Sequence, residues 1–193
     1  MEMNQMKRNL LAVLTLAALT ATLQPAAAQM NNNSPERIEF TIDVAEDMKL
    51  FVEPRVPTGS EPLRGSFFVT EGKIFTAGTI PNTNGEQFDP NTITGSIGTW
   101  FCKGTFLVAG SVFDKNRLSV LTDQLFLFPN DQQSIATTGT EGAGFTVRPV
   151  VGGTGQYAGY TGEQRQEFLG FNKTGGVNLR VTIKLRKTTN FRQ

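Results

Sequence analysis

The 193-residue chain contains no histidine. That removes Ser-His-Asp and Cys-His nucleophile activation, HExxH zinc chemistry and any imidazole proton shuttle. Acid-base work would fall to carboxylates, Tyr, Lys or Cys. Cys102 is the single cysteine, so no intrachain disulfide can form, and one thiol cannot assemble a Cys-rich zinc or iron-sulfur site. The sequence implies no metal and no cofactor. Charge of one sign is also missing: without Lys7, Arg8 and Glu2 the 18 basic and 17 acidic residues fall to 16 of each. Such a balance argues against nucleic acid as a partner.

The only long apolar run lies at the start. Lys7 and Arg8 form a positive region, 10–23 is apolar but diluted by Ala and Thr, and Ala26-Ala27-Ala28 precedes Gln29. That order reads as a cleavable export signal over 1–28, because Gln24 and Pro25 end the run short of the roughly 18 residues a membrane span needs. A secreted or periplasmic protein follows, with no membrane association after cleavage. Residues 29–36, with their Asn triplet, read as a flexible leader. Residues 37–193 are then one domain, long enough to bury a core without staples.

What is abundant is Phe, Gly and turn formers, with 15 Phe, 20 Gly and 9 Pro. This palette suits pleated surfaces and tight turns. Residues 37–44 alternate strictly, with Ile38, Phe40, Ile42 and Val44 opposite Arg37, Glu39, Thr41 and Asp43. The same two-residue period governs 177–186. Further strands are expected at 49–52, 66–75 (with a bulge or turn at Glu71-Gly72), 96–108, 118–128, 133–138, 145–151 and 162–169. Residues 79–94 are rich in Pro, Asn and Asp and read as a loop. Seven to nine short strands with no amphipathic helix after the signal leave a barrel or a sandwich.

The segment VVGGTGQYAGYTG at 150–162, followed by EQRQEFLG and later NLRVTIKL, resembles the allene oxide cyclase and dirigent barrel superfamily. Gly152, Gly153, Thr154, Gly155, Tyr157, Gly159 and Gly162 fall on its glycine-turn pattern, and 65–80 and 98–106 are similar to bacterial allene-oxide-cyclase-like members. The resemblance implies a single eight-stranded antiparallel barrel with an apolar lumen, trimeric in plant members, and cyclase or radical-steering activity without a cofactor. It implies that the sulfur of Cys102 lies in the pocket. It also places an essential acid on the first strand, where Thr41 and Asp43 occupy a similar context without a matching glutamate. The dirigent Ala-Arg-Gly is replaced by Tyr160-Thr161-Gly162.

Periodicity selects the remaining candidates. Trp100, Cys102 and Phe106 share one face. Asp123 is flanked by register mates Leu121, Leu125 and Leu127; facing inward, it would be a desolvated carboxylate suited to proton transfer. Facing outward, it would leave Thr122 and Gln124 in the lumen beside Val120 and Phe126. Arg148 can pair with a lumen carboxylate or a substrate anion, or lie in solvent. The expected site is therefore Asp123 and Cys102 as catalytic groups, with Trp100, Phe106, Phe126, Arg148 and Tyr157 binding a small hydrophobic or amphiphilic molecule. A non-catalytic ligand scaffold and a structural barrel with a filled core are the alternatives.

Overall fold

Alternation on eight segments closes into one ring. The computed structural model describes residues 36–53, 62–82, 85–109, 120–129, 132–142 and 144–188; the signal and nearly all of the leader expected at the N-terminus lie outside them. The strands are β1 (Arg37–Glu46), β2 (Phe67–Thr76), β3 (Gly98–Phe106), β4 (Val120–Leu127), β5 (Ser134–Glu141), β6 (Thr146–Gly153), β7 (Tyr160–Phe171) and β8 (Val177–Lys187). Each pairs antiparallel with its neighbour, and β1 closes on β8 from Arg37↔Arg186 to Ala45↔Asn178. Closure excludes the sandwich and leaves no free sheet edge.

Ile42, Val44, Ile74, Trp100, Phe126, Ile135, Val150, Val181 and Ile183 fill the interior as one apolar cluster. The outer wall carries exposed charges including Glu39, Lys103, Asp123, Arg165, Glu167 and Arg186. One end of the barrel is shut by aromatic rings. Phe40, Phe128 and Tyr157 lie with centroids 5.4–6.0 Å apart, and Tyr157 stands on the 3-10 turn Gly155–Tyr157 that the glycine pattern creates. Tyr157 thus caps the barrel end, and burial raises its phenol pKa.

Two local expectations need correcting. Residues 49–52 form no strand: Met48–Leu50 is a 3-10 turn capped by the Asp47 carboxylate, and only Val52 bridges to Val69. β2 runs unbroken through Glu71-Gly72, with Gly72 paired to both Glu46 and Trp100. Glycine serves there as a close-approach residue, since a Cβ would come 2.5 Å from the Ala45 carbonyl oxygen.

The loop after β2 folds over the outside of β1. Ala45, Phe75, Ile80 and Phe88 form a second apolar cluster beneath it. Asp43 fastens it: its buried carboxylate accepts Gly78 N–H at 2.8 Å and Ile80 N–H at 2.9 Å, and receives the Arg180 guanidinium at 2.9 Å. Asp43→Ala removes at once the partner of four N–H donors, on Gly78, Ile80 and Arg180. It is expected to destabilise the barrel by about 3 kcal/mol, read from the urea midpoint; an unchanged midpoint would refute this fastening role.

Candidate functional site

The inward faces of β1 to β7 carry a polar belt toward the end opposite Tyr157. The alternation of β1 ends its apolar run at Val44 and places Glu46 next on the same face. Its carboxylate accepts Thr70 Oγ1–H at 2.7 Å and the Val177 N–H at 2.8 Å. Burial raises the Glu46 pKa; the hydrogen bonds from Thr70 and Val177 oppose the shift, and the nearby Glu141 adds to it. On β5, pairing continues past Thr138 to Glu141, opposite Val120, so Glu141 also faces inward.

Arg148 on β6 meets it there. Its Nη2 donates to Glu141 Oε2 at 2.6 Å and its Nη1 to Thr122 Oγ1 at 2.6 Å. The Arg148 side chain has no solvent exposure, while that of Glu141 has 16%. Of the open readings for Arg148, the pairing with a lumen carboxylate is the one the structure shows. Three glutamines extend the network. Gln166 donates to Glu141 Oε2 at 2.9 Å, Gln124 to the Gln166 carbonyl at 3.1 Å, and Gln164 to the Gln124 carbonyl at 2.9 Å. The Cys102 thiol points at Glu141 Oε1 from 3.9 Å.

The belt is not saturated. Trp100 Nε1, Thr137 Oγ1, Thr146 Oγ1, Arg148 Nε and Gln164 Oε1 are buried on inward-facing residues and have no hydrogen-bond partner. A buried polar atom without a partner costs about 1–3 kcal/mol. Ordered water or a bound molecule would satisfy such groups.

The expected residues divide clearly. Trp100, Cys102, Phe106 and Phe126 are buried in the barrel interior, and Phe106 packs at 5.5 Å against Phe68 on β2. Asp123 is the correction: it is exposed on the outer wall between Lys103 and Thr138 of the adjacent strands. The outward alternative, with Thr122 and Gln124 inside, is the one realised. Three leucines at two-residue spacing suggested an inward face, but on this strand Leu121 is exposed and Leu125 half-buried. They line the outside with Asp123, where an open groove of about 370 Å³ runs over Val69, Phe101, Lys103, Leu125 and Val151.

Sequence reasoning missed Glu46, Glu141, Gln164 and Gln166. Extending the period of β1 by one step finds Glu46. For Gln164 and Gln166 the same period was visible from Gly162 to Phe168, but amides on a strand read as solvated.

Burial pushes the Cys102 thiol well above its usual pKa, with Glu141 adding to the shift and Arg148 opposing it. The thiolate required for alkylation is therefore scarce. Iodoacetamide at mildly alkaline pH is expected to leave native Cys102 unmodified and to label it fully in urea; rapid labelling of the folded protein would contradict its placement.

No family model and no curated protein matches the chain. Solved structures do. A pyocyanin demethylase is 13% identical with a TM-score of 0.52, over 77% of this chain and 99% of that one. The pterocarpan synthase dirigent protein PsPTS1 is 12% identical with a TM-score of 0.57, over 80% and 97%. A second such protein, GePTS1, is 11% identical at the same TM-score, over 82% and 89%. At these identities the likeness is one of fold, and the fold of this chain is the dirigent-like eight-stranded barrel.

Proposed function

We propose that the protein is exported by its N-terminal signal and binds a small amphiphilic molecule in the barrel lumen, against the polar belt and the Trp100 and Phe126 rings. The five unpartnered polar atoms carry this reading, since an evolved apolar filling would not leave hydrogen-bonding groups facing it. A lumen of eight strands is just wide enough for its own side chains or one small ligand. The dirigent-like fold is consistent with that use, and the homo-oligomer implied by the resemblance belongs to the same proposal.

Within it, a cofactor-independent cyclisation or isomerisation is the chemistry for which the belt is equipped. Burial raises the pKa of the Glu46 carboxyl, which suits it to exchange a proton with a substrate atom. Glu141 and Arg148 hold the neighbouring amides in place, and the aromatic walls confine the substrate in one folded conformer. Cys102 contributes a polarisable, protonated contact. A non-catalytic scaffold uses the same walls without the proton transfer.

Native mass spectrometry of the protein purified from its exporting host tests the binding. A discrete small-molecule mass released on denaturation is expected. A bare protein whose lumen holds only ordered water in a crystal structure would overturn it. Glu46→Gln separates the two uses: turnover of the released molecule should disappear while its binding persists, and turnover that survives the substitution removes Glu46 from the chemistry.

A further inference from the structure

We infer that the lumen accepts an uncharged, hydrogen-bonding molecule and turns carboxylates away, because its inward face sets two carboxylates, Glu46 and Glu141, against one guanidinium, Arg148. The inference rests on the lumen-binding reading and names the chemical class of the guest.

The charge count is made among the described residues, and each charge's partners are fixed by geometry. Arg148 has already used Nη1 on Thr122 and Nη2 on Glu141. Its Nε has no partner, and the Glu141 carboxylate neutralises the guanidinium. Glu46 has no cation beside it: its oxygens take their hydrogen bonds from a hydroxyl and a backbone amide, both neutral. Glu141 and Asp47 are the charges felt most at Glu46, and both are negative. An anionic guest would shed its water, add a further negative charge to this surplus, and find as compensation only the N–H groups of a guanidinium that Glu141 already neutralises.

The unpartnered atoms specify the same guest from the other direction. Trp100 Nε1 and Arg148 Nε only donate, Gln164 Oε1 only accepts, and the Thr137 and Thr146 hydroxyls do either. A carboxylate cannot donate to Gln164 Oε1. A hydroxyl, phenol or amide group can satisfy donors and acceptor together, and a carbonyl or ether oxygen elsewhere on the molecule can receive the indole N–H. Charge and hydrogen-bond inventory therefore agree on a neutral polar group attached to an apolar body.

Trp100 is the sole tryptophan and is 2% exposed, which makes its emission a reporter of the lumen. The protein is titrated at neutral pH with phenylpropanol and with phenylpropionate, two probes of matched shape that differ in charge. The alcohol is expected to shift Trp100 emission at a concentration about tenfold or more below that needed for the carboxylate. Glu46→Gln should narrow that gap by tightening the carboxylate. A carboxylate that binds as well as the alcohol overturns the inference and leaves the lumen reading standing, as does a gap unchanged in the variant. Emission indifferent to both probes overturns the two together. Should the variant not fold, the order of the two probes on the unmodified protein decides.

Discussion

Gly162→Ala is expected to prevent the barrel from closing, with a loss of at least about 3 kcal/mol and soluble expression falling accordingly. Gly162 sits on β7 between Val150 of β6 and Leu185 of β8. A Cβ built there would overlap the Lys184 carbonyl oxygen and come 3.0 Å from the Leu185 Cα. Those atoms are backbone of the paired strand, so no rotamer change can relieve the overlap. The strand pair itself would have to part, at the seam next to the β1–β8 closure. A domain stability of roughly 5–15 kcal/mol leaves little room for that loss. Gly152→Ala, from the same glycine-rich segment, is the control. Nothing lies within 4 Å of its would-be Cβ and its φ is not in the left-handed region, so its urea midpoint should stay within about 0.5 kcal/mol of the parent. A Gly162→Ala protein with the parent midpoint would show that this close approach is not what the residue is for.

That contrast also shows how legible the fold was. Strand alternation identified β1 and β8 nearly to their ends, because one face of each is apolar over the alternating stretch and a period of two then has a single reading. The glycine-rich segment was recognisable as a pattern, yet the pattern does not say which glycines bear the close approach; that depends on the partner strand's carbonyl. β4 defeated periodicity for a different reason. Both of its faces carry apolar residues, with Leu121, Leu125 and Leu127 on one and Val120 and Phe126 on the other, so hydrophobicity could not choose between them. The barrel decided by placing Thr122 and Gln124 inside, where Arg148 and Gln164 satisfy them.

Of the site, the apolar walls and Arg148 were legible, and its acids and most of its amides were not, for a related reason. Trp100, Phe106 and Phe126 announce burial by composition. Glu141 and the glutamines satisfy one another and Arg148 across β4, β5, β6 and β7, Glu46 is satisfied by Thr70 on β2 and the Val177 N–H on β8, and pairing between distant strands leaves no local trace. The surface loop over β1 shows the same effect. Asp43 sits on the polar face of an alternating strand, as expected, but it is fully buried by a loop 35 residues away in sequence.

Arg148→Met provides the sharpest test of whether the belt is a unit. The substitution keeps an unbranched stem of similar reach and deletes the charge, leaving Glu141 without its only ion-pair partner among the described residues. Removing one member of a buried pair costs about 3–5 kcal/mol. Here the lower part of that range applies, since Glu141 keeps the Gln166 amide at 2.9 Å and a weaker contact from Gln124 at 3.4 Å, and retains some access to solvent. The expected loss is therefore about 3 kcal/mol at neutral pH. Glu141→Gln placed on top of Arg148→Met should return more than half of it, because the uncompensated charge rather than the missing contact is the main cost. Equilibrium unfolding of the two single variants and the double variant gives the coupling directly. If the double variant is less stable than Arg148→Met by the full cost of Glu141→Gln measured alone, the two side chains act independently, and the belt is a set of separate polar residues rather than one network built around a buried ion pair.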